Sequence, residues 1–128
     1  MLFMKQLKGL VEEIKKNRKV VGIILFGSHA KNRATPISDI DICIIGRKLR
    51  EIEKARIEAL GNEKIRIVFF DELPLPIKFR VFKEGKFLYL KDEAFVNSLR
   101  AQTISYFLDF KPILERYCRR VYGWKYEI

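Results

Sequence analysis

Gly27-Ser28-His29-Ala30-Lys31-Asn32-Arg33-Ala34-Thr35-Pro36-Ile37-Ser38-Asp39-Ile40-Asp41 is the stretch on which the reading of this chain turns. In an extended strand, side chains repeat every second residue, so Asp39 and Asp41 project from one face and Ile40 from the other. Two carboxylates held this close repel, and a divalent cation with oxygen ligands offsets the repulsion, most naturally Mg²⁺ shared with the phosphates of a substrate. Upstream, Val20-Val21-Gly22-Ile23-Ile24-Leu25-Phe26 is a continuous apolar run of the kind found in a strand buried on both faces. Gly27 ends it. A glycine there lets the backbone approach a phosphate, and Ser28 offers a hydroxyl and an N–H at the start of a short helix.

Working outward, the periodicity alternates between helix and strand. Phe3, Leu7, Leu10, Val11 and Ile14 recur at helical spacing and predict an amphipathic helix over residues 2–17. Pro36 closes a loop ahead of a strand from Asp39 to Ile45, which Gly46 ends. Ile52, Ala55 and Ala59 predict a helix over 49–60, stopped by Gly61 and Asn62, and Ile65 to Phe70 is a third strand. Pro74 begins a helix with Ile77, Val81 and Phe82 inward and Gly85 as its C-terminal signal. Phe87 to Leu90 is a short edge strand. Asp92 caps a final helical region, about 92–122, with an apolar stripe of Phe95, Leu99, Tyr106, Phe110, Leu114, Tyr117 and Val121, bent near Pro112. The expected class is α/β: one domain over 1–128, a small mixed sheet flanked by helices with a C-terminal helical extension.

Gly-Ser, ten residues, then Asp-x-Asp resembles the signature of the nucleotidyltransferase superfamily related to DNA polymerase beta. The short length and the tail Tyr106-Phe107-Leu108-Asp109-Phe110-Lys111-Pro112 resemble its minimal, single-domain branch. The resemblance implies the nucleotidyltransferase fold and a site in which three carboxylates hold two metal ions. Those ions activate an acceptor hydroxyl and stabilise the departing pyrophosphate of a nucleoside triphosphate. It assigns Asp39 and Asp41 the first two catalytic and metal-holding roles, with Mg²⁺ as cofactor, and Gly27 and Ser28 the phosphates. Lys31 and Arg33 are nucleotide-binding candidates beside them, against the plainer reading of a solvated basic turn. His29 stands where the family often has arginine; as the single histidine it cannot make a metal cluster.

One departure matters most. The third acid is expected on a following strand just before a Leu-Pro, and in Ile65-Arg66-Ile67-Val68-Phe69-Phe70-Asp71-Glu72-Leu73-Pro74 that position holds Arg66. Ile65, Ile67 and Phe69 make one apolar face, so alternation places Arg66 on the other. Three accounts fit the sequence: Asp71 or Glu63 reaches in from the strand ends, Arg66 grips a triphosphate in a site without efficient chemistry, or the register is displaced.

Composition sets the outer limits. A chain of 128 residues with 48% hydrophobic content suits one globular core. No apolar run approaches the roughly 20 residues needed to span a bilayer and no secretory signal is evident, so a cytoplasmic location is expected. Two cysteines make no disulfide scaffold. A net charge of +10 attracts nucleotides, nucleic acid or an acidic protein, and an ion-paired thermophile-type surface accounts for part of it. No base-stacking platform or recognition helix is evident, so nucleic-acid nucleotidyl transfer is the least favoured class.

Tyr106, Phe107, Phe110, Tyr117, Tyr122, Trp124 and Tyr126 are more aromatics than one exposed helix leaves in water. They pack on the sheet, on a second copy in a homo-oligomer, or on a partner. Minimal nucleotidyltransferases are commonly paired with a HEPN-type, RNase-like toxin, so the resemblance implies an antitoxin. Its chemistry would be transfer of AMP from ATP, or another nucleoside triphosphate, to a partner hydroxyl; the alternative is a catalytically weak antitoxin that neutralises by binding.

Overall fold

A computed structural model describes residues 2–27 and 39–123, with side chains from Lys5 onward. Helix α1 (Leu2–Ile14) leads into β1 (Val20–Phe26); β2 (Ile40–Gly46), α2 (Glu51–Glu58) and β3 (Ile65–Phe69) follow, then a 3₁₀ turn over Phe70–Glu72. Helix α3 (Leu75–Glu84), strand β4 (Lys86–Leu90) and the long helix α4 (Glu93–Tyr122) complete the order. The four strands form one sheet in the order β3-β2-β1-β4. Strand β1 runs antiparallel to β2 and to β4, while β2 and β3 are parallel. A parallel pair needs a crossover, and α2 supplies it. The sheet is therefore mixed, as expected, and β4 is an edge.

Strand alternation divides the core into two layers. On one face Ile23, Ile40, Ile42, Ile44, Ile65, Ile67 and Phe69 pack with Leu7, Leu10, Val11 and Ile14 of α1 and Ile57 of α2. On the other, Val21, Ile24, Cys43 and Ile45 pack with Val81 of α3 and Val96 of α4. Burial on both faces is why β1 and β2 read as unbroken apolar runs. Cys43 is fully buried, which pushes its thiol well above the usual range.

Helix ends differ from expectation in physical detail. Helix α1 stops at Ile14 rather than residue 17, because the Asn17 side chain accepts from the Lys19 N–H at 2.9 Å and turns the chain into β1. Strand β3 stops at Phe69, where the 3₁₀ turn begins. Gly85 ends α3 in extended backbone rather than the left-handed form. Its requirement is space: a Cβ there would collide with the Val81 carbonyl and with Ile24 Cγ2. Asp92 caps α4 as expected, accepting from the Phe95 N–H at 3.0 Å.

The expected stripe on α4 is corrected by one residue, a little over a quarter turn. Val96, Thr103, Phe107 and Cys118 are its buried positions, with Phe95, Leu99, Phe110 and Leu114 half-buried, whereas Tyr106, Tyr117 and Val121 are exposed. Phe107 stacks on Phe79 of α3 with ring centroids 4.3 Å apart. Helix assignment continues through Pro112.

Glu53 ties three segments together. Its carboxylate accepts from Lys19 Nζ (2.6 Å), Asn17 Nδ2 (3.0 Å) and Arg50 Nε (3.0 Å), joining the α1–β1 turn to α2. The Lys19 bond, then those from Arg50 and Asn17, hold its pKa well below the usual carboxylate range. A depressed carboxylate stabilises the fold above its unfolded value of about 4.3 and loses that contribution as pH falls toward the folded value. Glu53→Gln is thus expected to lower the melting temperature at pH 7, with the gap to wild type closing as the pH is taken below 4; a gap independent of pH would contradict this account. On α4, Phe107→Ala is expected to cost about 3–5 kcal/mol in urea denaturation. Its neighbour Tyr106→Ala is expected to stay within about 0.5 kcal/mol.

Candidate functional site

The end of the sheet where β1 finishes and β2 begins brings three residues into one row. Phe26 at the end of β1 pairs with Asp41 of β2, and Asp41 pairs with Arg66 of β3. Gly27 follows Phe26 in left-handed backbone, φ 81°, and a Cβ built on it would lie 2.7 Å from Asp41 Oδ2. Glycine is required there twice over, for its backbone and for the carboxylate beside it.

Asp41 is largely covered, its side chain 14% exposed, and Oδ1 accepts from both Arg66 Nε (2.9 Å) and Arg66 Nη2 (2.8 Å). Arg66 itself is 67% exposed. Asp39 is exposed immediately before β2, and Ile40 between the two acids is buried against the opposite face, its N–H donating to the Lys64 carbonyl at 2.8 Å. The expected alternation of the acidic pair around Ile40 therefore holds for Asp41, and β2 begins one residue later than expected. Ser28, Lys31 and Arg33, with His29, lie outside the described residues.

The parallel β2/β3 register decides between the accounts of Arg66. Ile40, Asp41 and Ile42 pair with Ile65, Arg66 and Ile67, so no displaced register conceals an acid on β3. Asp71 is excluded too. It lies in the 3₁₀ turn that follows β3, beyond the Ile44–Phe69 pair and so past the Asp41–Arg66 pair by more than three residues of strand. There it binds Lys54 Nζ at 2.8 Å, and this bond foremost raises the pKa of that lysine. Glu63 is exposed two residues ahead of β3, at the correct end of the sheet. A cavity of about 170 Å³ lined by Ile45, Phe70, Asp71, Lys78, Phe95 and Leu99 also lies at the far end, remote from Asp39 and Asp41.

Residues 8–94 match the model of the polymerase beta nucleotidyltransferase domain. The chain belongs to that family. Over 71 residues it is 46% identical to a Methanocaldococcus jannaschii protein named "Putative protein adenylyltransferase MJ1547", an alignment covering 56% of this chain. The chain spans 57% of that relative's length. Its fold is shared with a toxin–antitoxin crystal structure containing AMP-PNP, at TM-score 0.72 and 20% identity over 89% of this chain and 97% of the other. It is shared as well with a structure of the tri-AMPylated HEPN toxin of Shewanella oneidensis in complex with its MNT antitoxin, at TM-score 0.67, 21% identity, and 91% and 98% coverage. At these identities the likeness establishes the fold.

The side chains present can be tested against the divalent metal that nucleotidyltransferases of this family generally use. Among the described residues no three His, Cys, Asp or Glu side chains converge on one point. The donor set is Asp39, the Oδ2 of Asp41 beside Gly27, and an Oδ1 already held by a guanidinium. That set fits one cation completed by phosphate oxygens; it does not fit the three-carboxylate, two-ion arrangement.

The sequence alone did not show that the arginine and the aspartate touch. The signal was present in the two-residue alternation of both strands, once their parallel register is known. Gly27→Ala is expected to cost about 1–2 kcal/mol from left-handed backbone alone. Crowding against Asp41 should add to this, so the cost measured by chemical denaturation should be smaller in an Asp41→Ala background. Equal costs in both backgrounds would remove the proposed contact.

Proposed function

We propose that this chain is a divalent-metal-dependent nucleotidyltransferase that transfers AMP from ATP to a hydroxyl of a partner protein, acting as the antitoxin of a HEPN-type toxin in the cytoplasm. The observation that carries the reading is the Gly27–Asp41 contact at the end of β1, next to Asp39, in a chain of the polymerase beta nucleotidyltransferase family. The adenylyltransferase name of the archaeal relative and the AMPylated toxin in the Shewanella complex support the choice of AMP and of a protein acceptor.

Gly27 and Ser28 hold the triphosphate, with Lys31 and Arg33 as further phosphate contacts. Asp39 and Asp41 hold Mg²⁺, which supplies charge neutralisation for the triphosphate. The acceptor oxygen attacks the α-phosphorus as the bond to the bridging α–β oxygen breaks; pyrophosphate leaves, and the hydroxyl proton passes to water at this open end of the sheet.

In this reading the acceptor comes from a partner, and α4 offers a surface for one. Tyr106, Ile113, Tyr117 and Val121 are each between 47% and 56% exposed and fall at three-and-four spacing on one face. Arg116 and Arg120, also exposed, follow one margin of that stripe by helical geometry, which favours a helical partner with an acidic rim. The net charge of +10 has the same sense.

A second reading has its own observation. Arg66 occupies the third-acid position and binds Asp41, which favours a weakly active antitoxin that neutralises by occlusion. One experiment separates the two: purified protein, Mg²⁺ and each α-labelled nucleoside triphosphate, with and without the product of the gene adjacent to the one encoding this chain. Label transferred to the partner from ATP, and lost in Asp39→Ala/Asp41→Ala, is the expected result; a stable complex with no transfer would establish the binding-only reading. Independently, Ile113→Asp with Tyr117→Asp is expected to weaken the complex at least ~30-fold, about 2 kcal/mol, by titration calorimetry, with the melting temperature unchanged.

A further inference from the structure

Arg66 is more than a missing acid, because the structure shows where its charge goes. Nε and Nη2 both donate to one oxygen of Asp41, at 2.9 and 2.8 Å, from the neighbouring strand in register. A guanidinium carries five N–H donors in a planar fork. Two are used on Asp41, and three remain on a side chain that is two-thirds exposed. The other oxygen of Asp41 lies beside Gly27.

Three carboxylates with two divalent cations carry a net single positive charge for the triphosphate. Two carboxylates, one guanidinium and one divalent cation carry the same. A second divalent cation added to the observed set would face a fixed positive charge a hydrogen bond away from Asp41, with no third carboxylate grouped with Asp39 and Asp41 among the described residues to offset it.

We propose that Arg66 is a nucleotide-binding residue that stands in for one of the two metal ions: its guanidinium stays on Asp41 and takes a phosphate oxygen of the nucleoside triphosphate, so that the site binds nucleotide with a single divalent cation. Arginine suits this role because it is permanently charged and its fork joins a carboxylate and a phosphate at once. The inference rests on the nucleotide-site reading above and narrows it to a one-cation site whose nucleotide affinity depends only partly on metal.

The test uses the whole chain with the α,β-methylene analogue of ATP, in which the bond broken by transfer is absent, and Mn²⁺ counted by electron paramagnetic resonance. Wild type is expected to bind one Mn²⁺ per chain with the analogue and to retain measurable analogue affinity in EDTA. Arg66→Ala is expected to lose at least ~30-fold of the EDTA affinity. Arg66→Asp is expected to bind two Mn²⁺ and to become strictly metal-dependent; the exposure of residue 66 keeps both variants folded, which circular-dichroism melting checks. Two Mn²⁺ bound with the analogue by wild type, or Arg66→Ala binding the analogue in EDTA as wild type does, would overturn the one-cation site and leave the nucleotide reading standing. Absence of analogue binding to wild type, with or without Mn²⁺, would overturn both.

Discussion

A half-buried carboxylate at the end of a sheet cannot stand without a positive charge, and Asp41 has its charge supplied from the next strand. The Arg66 guanidinium reaches it because β2 and β3 are parallel and in register, and that register exists because α2 provides the crossover and buries Ile57 against Ile42 and its neighbours. Gly27 completes the enclosure from the antiparallel side. The geometry of one carboxylate thus depends on the order of three strands, and much of the remaining fold holds that order.

The two core layers have unequal relations to this point. Asp41 and Arg66 alternate with Ile40, Ile42, Ile65 and Ile67, which pack toward α1 and α2, so the charged pair belongs to the face covered by α3 and α4. The Glu53 cluster clamps the opposite face, with Lys19 and Asn17 held to α2. The Glu53 cluster and the Asp41–Arg66 pair thus lie on opposite faces of the sheet, so Glu53→Gln and Gly27→Ala test different contacts of the fold.

How much of this the sequence carried follows from the pattern each element left in it. Strands β1, β2 and β3 were legible because apolar runs bounded by glycine have few other readings, and the acidic pair was legible because Asp-x-Asp stands at the start of one of them. Arg66 was visible as an anomaly, but its contact with Asp41 needed the strand order. Asp71 looked equally available in the sequence; only the parallel register shows it at the wrong end, bound to Lys54. Helix α4 failed differently. Apolar residues cover so much of its circumference that periodicity alone does not say which of two adjoining stripes is buried, and Phe107 against Phe79 of α3 makes the choice.

That choice has a functional consequence. With Val96 and Phe107 turned toward the protein, the adjoining face of α4 is left with Tyr106, Ile113 and Tyr117 in water, where large apolar side chains are costly without a cover. Helix α4 also packs on the same sheet face as Asp41 and Arg66, through Val96 against the layer that contains Cys43 and Ile45. A protein docked along α4 would therefore stand on the side of the sheet to which Asp41 and Arg66 belong. Under the proposed function, a partner docked on α4 and a nucleotide held at Asp41 and Arg66 would share one face of the sheet, so recognition and transfer would be coupled by position, without any conformational relay between them.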